Sequence, residues 1–303
     1  MNELRIEGII PPVVTPFTKD EEVDEGALRN EMAVMLAVGV HGVTVTGSTG
    51  EGHTLTLEET VRIARAAVDD AAGRIPVVSG IIQDSTREVI RYGKALKEVG
   101  VDALQITPVH YLFSPGEEGT IRYYDEIGTA VQLPIVIYNV VPWNTITPPT
   151  LLKLGELEWV VAVKQSGGDI HKLADLLVAV KRTGSRLRVL TAVDALLFAS
   201  FSMGAHGAVA ALLAVLPERC VELWDACQRG DYTRALALHE ALLPLWRTLD
   251  APDMSSRVKA AIEMQGRRVG PARRPLLPVG ESVRAEIEQQ LKHVLELSEA
   301  RAR

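Results

Sequence analysis

A lysine stands at the far end of an apolar run, in the stretch WVVAVKQSGG from Trp159 to Gly168. Burying an unpaired ammonium is costly, so Lys164 either reaches out to solvent or is used inside the protein. Tyr138 ends another apolar run, PIVIYN. Neighbouring strands lie about 4.8 Å apart, so the amine and the phenol can meet if both face the same side of a sheet. An amine removed from water can attack a carbonyl carbon, and a phenol can move the proton.

A second candidate site is the sequence GSTGEG at residues 47–52, which we call the glycine loop. Its glycines permit unusual backbone angles, and successive N–H groups can surround an anion together with the hydroxyls of Ser48 and Thr49. A carboxylate would suit such a site. The loop lacks the Gly-Lys-Ser/Thr ending of a P-loop, so nucleotide binding is not favoured. A simple glycine-rich turn is the alternative interpretation.

The seven histidines show no metal-ligand spacing, and no paired C-x-x-C occurs, so we expect no metal. His110, in the loop TPVHYLF, is the histidine best placed to face a site. A Ser-His-Asp triad is not supported, because the chain has no G-x-S-x-G motif. The arginines of 267–274 are interpreted as a solvated loop.

Short β-rich runs recur along the first two-thirds of the chain, and several are continuously apolar, as in parallel strands covered on both faces. These runs span residues 8–15, 42–47, 76–81, 102–107, 134–139, 159–165, 187–192 and 207–212. Helix-like segments lie between them, and two begin with capping-box spacing, Thr56 with Glu59 and Ser85 with Glu88. Helices are predicted to end at Gly39, Gly100 and Gly184.

Eight strands, each followed by a helix, predict an α/β fold, a (β/α)8 TIM barrel, whose active site lies at the carboxyl ends of the strands. A doubly wound sheet is the alternative, but it usually has a glycine-rich turn where this chain reads PPVVTPF. Strand signals stop near residue 228, and helices are predicted at 231–249, 253–266 and 281–299. We therefore predict a catalytic barrel at 1–228 and a C-terminal helical region at 229–303.

The composition limits the possible functions. The chain has 303 residues and a formal net charge of −7, which argues against a nucleic-acid partner. No apolar stretch is long enough to span a membrane, so no membrane partner is expected. Cys220 and Cys227 would lie about 10 Å apart along one helix, too far for a disulfide. A reducing, cytoplasmic setting is the expectation.

Five motifs, in order along the chain, resemble those of the dihydrodipicolinate synthase / N-acetylneuraminate lyase family: GSTGEGHTL, ITPVHY, IVIYNVVP, VVAVKQSGGD and GAHGAVAAL. The resemblance spans essentially the whole chain. It implies a (β/α)8 lyase of the class I aldolase type, usually a homotetramer built as a dimer of dimers, without metal or dissociable cofactor. It also implies that Lys164 forms a Schiff base with pyruvate or another 2-oxo acid, and that Tyr138 transfers protons.

The resemblance assigns further residues. Ser48 would link Tyr138 to a proton relay, and Thr49 with the nearby N–H groups of Gly47 and Gly50 would hold the substrate carboxylate.

At strand eight, a backbone group of Val209 would line the site. The family's synthases also bring a second tyrosine across a subunit interface, from the loop after strand four. Strict spacing puts His110 at that position, whereas chemistry favours Tyr111, and both remain candidates.

One departure bears on the activity. The family's synthases carry an arginine shortly after the tyrosine to hold the second substrate, whereas this chain has no arginine from 139 to 150 and reads Trp143-Asn144. An uncharged site that includes Asn144 would bind a carboxylate poorly. Trp143, His110 and Phe113 could suit an aromatic or hydroxylated substrate, or pack in the core.

The sequence therefore predicts a Schiff-base lyase acting on pyruvate or another 2-oxo acid by aldol cleavage, condensation or dehydration. It disfavours 4-hydroxy-tetrahydrodipicolinate synthase, which condenses pyruvate with aspartate semialdehyde. A barrel that binds a 2-oxo acid without turnover is an alternative of another class, since a fold does not fix a function. The presence of both Lys164 and Tyr138 argues against it.

Overall fold

Eight short strands of mainly apolar residues form one parallel sheet in the order β1-β8-β7-β6-β5-β4-β3-β2. The computed structural model describes residues 4–299. The strands are β1 Gly8–Ile9, β2 Val43–Val45, β3 Val77–Ile81, β4 Ala103–Ile106, β5 Ile135–Asn139, β6 Val160–Gln165, β7 Arg188–Thr191 and β8 Gly207–Ala208.

The sheet closes into a barrel between β1 and β2. Pro12 and Thr44 form an isolated parallel bridge there. The N–H of Val13 donates to the Thr44 carbonyl at 2.8 Å, and the N–H of Thr44 donates to the Pro11 carbonyl at 2.9 Å. The predicted (β/α)8 barrel is confirmed, and the doubly wound sheet is wrong for this chain.

Helices follow the strands and cover the outside of the barrel. They are α1 Glu25–Val38, α2 Leu57–Ala71, α3 Thr86–Val99, α4 Gly116–Val131, α5 Pro148–Leu154, α6 Ile170–Thr183, α7 Leu197–Ser202, α8 Leu212–Val215, α9 Pro217–Gln228, α10 Tyr232–Leu249, α11 Met254–Glu263 and α12 Glu281–Glu299. The last three are the helices predicted after residue 228. The division into two domains at that residue stays a prediction.

The predicted helix ends are present. Thr56 and Glu59 form a complete capping box at the start of α2, and Ser85 accepts a hydrogen bond from the N–H of Glu88 at the start of α3. The glycines predicted to end helices have left-handed φ angles, 79° at Gly39, 95° at Gly100 and 68° at Gly184. These local signals set the lengths of the helices that connect the strands.

A small apolar cluster lies in the interior of the barrel. Its residues are Ile6, Ile10, Val78, Ala103, Val136, Ala162, Leu190 and Val209. Above it the interior becomes polar. In the ladder, Tyr138 pairs with Lys164. Val136 and Ala162 lie two residues before Tyr138 and Lys164 on the same strands and face the same side, so they form a floor beneath these two side chains.

The predicted solvated arginine loop is wrong for two of its members. The side chains of Arg267 and Arg273 are only 12% and 15% exposed. Arg267 Nε donates to Glu31 at 3.0 Å, and Arg273 donates to Glu59 at 2.6 Å. A glutamate on each of two barrel helices thus forms an ion pair with an arginine of the C-terminal region, which the local sequence of the loop could not show.

Two further findings concern the described residues 4–299. None of the helices is both long and apolar enough to cross a membrane. Cys220 and Cys227 are buried free thiols.

Candidate active site

Lys164 and Tyr138 lie side by side at the carboxyl ends of β6 and β5. Their ladder pairing is direct, and both side chains are buried, with exposed fractions of 4% and 6%. The Lys164 Nζ lies 3.8 Å from the centroid of the Tyr138 ring. An ammonium over an aromatic face is attracted by the negative face of the ring, which offsets part of its lost hydration. The predicted meeting of the two groups is present, with the amine over the ring face.

Asp194 is a third ionisable group at this end of the barrel, just after β7. Its Oδ1 accepts a hydrogen bond from the N–H of Leu212 at 2.6 Å. Burial raises the pKa of Asp194 to about 7, against the hydrogen bond from Leu212 and the positive charge of Lys164. Asp194 therefore changes charge near neutral pH within the electrostatic reach of Lys164.

The glycine loop is a tight turn at the same end of the barrel. The N–H of Glu51 donates to the Ser48 carbonyl and the N–H of Gly52 to the Gly47 carbonyl, both at 3.0 Å. From the segment that follows β1, the Thr15 hydroxyl donates to the carbonyl of Gly50 at 2.6 Å.

Glycine is required in this turn and beside it. A Cβ on Gly52 would overlap with the Thr46 carbonyl, and one on Gly80 would lie 2.6 Å from the same oxygen. Glu51 keeps a left-handed φ of 56° without being glycine. The loop is therefore packed closely against neighbouring backbone atoms and is not an open turn.

Within the loop, Thr49 is buried at 5% exposure and Ser48 is half-buried. Among residues 4–299 no hydrogen bond joins Ser48 to Tyr138, so the relay implied by the resemblance stays a prediction. Gly47 lies against the interior, where an added Cβ would be 3.5 Å from the Gln105 amide nitrogen. Both polar side-chain atoms of Gln105 are buried without a hydrogen-bond partner among the described residues.

The loop after β4 carries both candidates for the second proton-transfer residue, His110 and Tyr111. The N–H of His110 donates to Asp84 Oδ1 at 2.6 Å, and its Nδ1 lies 3.0 Å from the same oxygen. Tyr111 also donates its N–H to Asp84, at 3.2 Å, but its side chain is 65% exposed. Asp84 thus accepts the backbone N–H groups of both residues, whereas neither the His110 Nδ1 nor the Tyr111 side chain makes a hydrogen bond among residues 4–299. The choice between them stays open.

Two predicted substrate-binding residues have structural partners. The Asn144 side chain donates to the Val109 carbonyl at 2.8 Å and accepts from the Ser114 hydroxyl at 2.8 Å, which ties the loop after β5 to the loop after β4. The N–H of Val209 donates to the Thr191 carbonyl at 2.9 Å. Both residues lie near the carboxyl ends of strands, but these groups are engaged within the protein.

Sequence reasoning gave no role to Asp194, Glu51 or Lys259. Asp194 was recognisable only as a strand-end residue, and Glu51 only as part of the glycine loop. Lys259 is 2% exposed and lies 2.7 Å from Glu51. No sequence signal marks this contact, since the two residues are far apart in the chain.

A (β/α)8 barrel with a buried lysine and tyrosine on adjacent strand ends, beside a glycine-rich turn, defines the class of lysine-bearing barrel lyases. The model of the Dihydrodipicolinate synthetase family matches residues 5–294. The chain belongs to that family.

Relatives and solved structures agree. A 4-hydroxy-tetrahydrodipicolinate synthase of Methanopyrus kandleri is 36% identical over 293 residues, which cover 95% of this chain and 96% of the relative. The crystal structure of YagE, a prophage protein of the dihydrodipicolinic acid synthase family from E. coli K12 in complex with pyruvate, has a TM-score of 0.91 and 29% identity, covering 96% of this chain and 99% of that one. Dihydrodipicolinate synthase from Aquifex aeolicus has a TM-score of 0.86 and 32% identity, covering 97% and 98%.

Proposed function

We propose that the protein is a Schiff-base-forming lyase in which Lys164 attacks the keto carbon of pyruvate. The observation that carries the proposal is the burial of Lys164 beside Tyr138, with Nζ 3.8 Å from the ring centroid. The amine adds to the carbonyl carbon, water leaves, and the resulting iminium withdraws electrons from the adjacent carbon. Loss of a proton from that carbon gives an enamine, the carbon nucleophile of a condensation.

The other predicted residues have roles in this scheme. Tyr138 moves the proton during addition and loss of water, with Ser48 as its relay partner. The N–H groups of the glycine loop, together with Thr49, hold the carboxylate of the 2-oxo acid. The chemistry assigned to these residues needs no metal or dissociable cofactor, because the covalent iminium is the electron sink.

We further propose that the second substrate is aspartate semialdehyde, so that the activity is 4-hydroxy-tetrahydrodipicolinate synthesis. The sequence alone disfavours this activity because of the missing arginine. The relatives support it better than the broader prediction, since eight of them carry that name at 30–36% identity. The carboxylate of aspartate semialdehyde then has to be held without a cationic side chain from 139–150, since that segment has none.

A second candidate is a lyase for a 2-oxo acid whose partner aldehyde carries no carboxylate. The uncharged segment after Tyr138 favours it, because the side-chain amide of Asn144 is already hydrogen-bonded to the Val109 carbonyl and the Ser114 hydroxyl. An aldehyde partner without charge would need no cation at this place.

Reductive trapping tests the shared chemistry. Pyruvate and borohydride are added to the protein, and the adduct is mapped by mass spectrometry. We expect a single pyruvyl adduct on Lys164, none in Lys164→Ala, and none on Lys259, the equally buried lysine. An adduct elsewhere, or none with any 2-oxo acid, would contradict the Schiff-base proposal.

Turnover with pyruvate then separates the two candidates. Consumption of pyruvate is compared with aspartate semialdehyde and with uncharged aldehydes of similar length. Preference for aspartate semialdehyde supports the synthase, and preference for an uncharged aldehyde supports the second candidate. Turnover of either pair excludes a barrel that only binds.

A further inference from the structure

The carboxylate of Glu51, in the glycine loop, is directed into the C-terminal region. Glu51 is 1% exposed. Its Oε1 lies 2.7 Å from Lys259 Nζ on α11, and its Oε2 accepts a hydrogen bond from the N–H of Arg273 at 2.8 Å. Both carboxylate oxygens are therefore held by residues more than two hundred positions further along the chain.

Lys259 is committed to this contact on several sides. Its Nζ also donates to the Pro271 carbonyl at 2.8 Å and lies 4.3 Å from the centroid of the Phe17 ring. Phe17 belongs to the segment that follows β1, so one ammonium contacts the loops after β1 and β2 and the segment after α11. A buried charge with this many partners is fixed in position.

Arg273 holds the residues that follow the glycine loop. Its guanidinium donates to the Thr54 carbonyl at 2.8 Å and to both carboxylate oxygens of Glu59, at 2.6 and 3.1 Å. It also lies 4.3 Å from the Phe17 ring centroid. The C-terminal region thus forms hydrogen bonds with the glycine loop at Glu51 and with the residues at the start of α2.

The ion pair is attached to the glycine loop through the backbone of Glu51. The bonds of the loop's own turn pass through Glu51 and Gly52, whose N–H groups bind the carbonyls of Ser48 and Gly47. The turn closed by these two bonds carries the backbone N–H groups that the proposed function assigns to the substrate carboxylate, so a shift of the Glu51 backbone would move them. Small displacements of such groups have large effects on binding and rate.

We propose that the Glu51–Lys259 ion pair is a positioning device through which the C-terminal region holds the glycine loop in the conformation that binds the carboxylate of the 2-oxo acid. The part of this inference that concerns substrate binding rests on the proposed function. Glu51 and Lys259 do not touch the reacting atoms and act through the loop backbone. The C-terminal region then contributes to substrate binding as well as to packing.

The test compares Glu51→Gln with Glu31→Gln. Glu31 is an equally buried glutamate, 2% exposed, that also pairs with an arginine of the C-terminal region, Arg267, but it lies on α1, away from the loop. Both variants lose one buried charge of the same kind. A general loss of stability would affect both, whereas loss of loop positioning would affect only Glu51→Gln.

Two readouts are taken. The first is borohydride trapping of pyruvate over a range of concentrations. We expect Glu51→Gln to raise the half-saturating pyruvate concentration on the order of 10-fold while the saturating rate changes less than about threefold. The second is hydrogen exchange of the amides of residues 47–56 in the free protein, which we expect to speed up in Glu51→Gln and not in Glu31→Gln.

A double variant, Glu51→Gln with Lys259→Met, covers the case in which the single variant does not fold. Removing both charges leaves neither unpaired, so this variant is expected to fold. It should still show the faster loop exchange and the weaker pyruvate saturation. Wild-type saturation and loop exchange in this variant, or equal changes in Glu31→Gln, would overturn the inference. If wild-type protein traps no 2-oxo acid, the proposed function fails, and loop exchange alone decides the inference.

Discussion

Two lysines are almost completely buried, and their partners differ. Lys259 has a carboxylate at 2.7 Å and a carbonyl at 2.8 Å. Lys164 has neither an ion pair nor a hydrogen bond among residues 4–299, and its nearest polar support is the face of the Tyr138 ring. The carboxylate and the carbonyl engage the amine of Lys259, whose pKa burial lowers, whereas the amine of Lys164 has no such partner among the described residues to compete with a carbonyl substrate.

Asp194 gives a prediction about pH at the residue scale. Burial raises the pKa of Asp194 to about 7, above its value in an unfolded chain. The folded protein therefore keeps a proton that the unfolded chain has lost, so Asp194 lowers the stability progressively as pH rises from about 4 to 7. Asp194→Asn should remove this decline and be more stable than wild type at pH 8 by on the order of a few kcal/mol.

Urea unfolding at pH 4, 6 and 8 measures the effect. The asparagine oxygen can still accept the hydrogen bond from Leu212, so the contact between the segment after β7 and the start of α8 is kept. Asp231→Asn serves as a control, because it also removes a carboxylate that accepts a backbone N–H, that of Arg234, at an exposed helix start. A stability difference between Asp194→Asn and wild type that is the same at all three pH values would contradict the prediction.

At the site, the sequence was informative where function and strand pattern coincide. Lys164 and Tyr138 could be found because each breaks an apolar run at its end. Lys259 could not be found, because a lysine in an amphipathic helix is normally solvent-exposed. Its burial depends on Glu51, about two hundred residues earlier, and such a contact leaves no local pattern.

At the scale of elements, the strands in the middle of the sheet agree with prediction to within about a residue. The first and last strands are shorter than predicted, two residues each. Pro11 and Pro12 cannot donate to a ladder, so β1 ends at Ile9 although the apolar run continues. After β8 the apolar run GAVAAL turns into α8 at Leu212, because a buried apolar run suits either element.

The contact between β3 and the glycine loop gives a prediction at the scale of elements. A Cβ on Gly80 would lie 2.6 Å from the Thr46 carbonyl and 2.9 Å from the Gly47 backbone. Backbone atoms cannot yield cheaply, so Gly80→Ala should displace the loop. We expect a loss of about 1–3 kcal/mol in the free energy of unfolding and a higher half-saturating pyruvate concentration in trapping.

Gly280→Ala is the matched control, because a Cβ there meets no heavy atom within 4 Å. Its stability and trapping should stay close to wild type. Wild-type saturation by pyruvate in Gly80→Ala would show that the loop tolerates the added methyl group.

At the scale of the whole molecule, large apolar side chains are exposed together beside the barrel mouth. They are Tyr111 at 65%, Leu112 at 69%, Phe113 at 73% and Trp143 at 63% exposure. The two loops are joined by the hydrogen bond from Trp143 Nε1 to the His110 carbonyl at 3.1 Å. A contiguous apolar patch of this kind indicates an interaction surface. We propose that it joins two subunits of a homotetramer.

The double substitution Phe113→Ser with Trp143→Ser should therefore reduce the molar mass of the assembly in solution, as measured by sedimentation equilibrium. Leu277→Ser is the control, because Leu277 is also 73% exposed but lies in the C-terminal region. An unchanged mass for the double variant would place the interface elsewhere.

The reactivity of the two cysteine thiols reports how often the folded protein opens. Both lie in α9, and burial raises the pKa of Cys227 to about 11 and that of Cys220 further still. Alkylating and disulfide reagents attack the thiolate, so the native chain should be nearly inert to them at neutral pH. Because both thiols lie on this helix, each pair of thiols consumed counts one molecule whose α9 has come away from the barrel. The time course of that consumption measures the rate of spontaneous unfolding under the conditions of an assay.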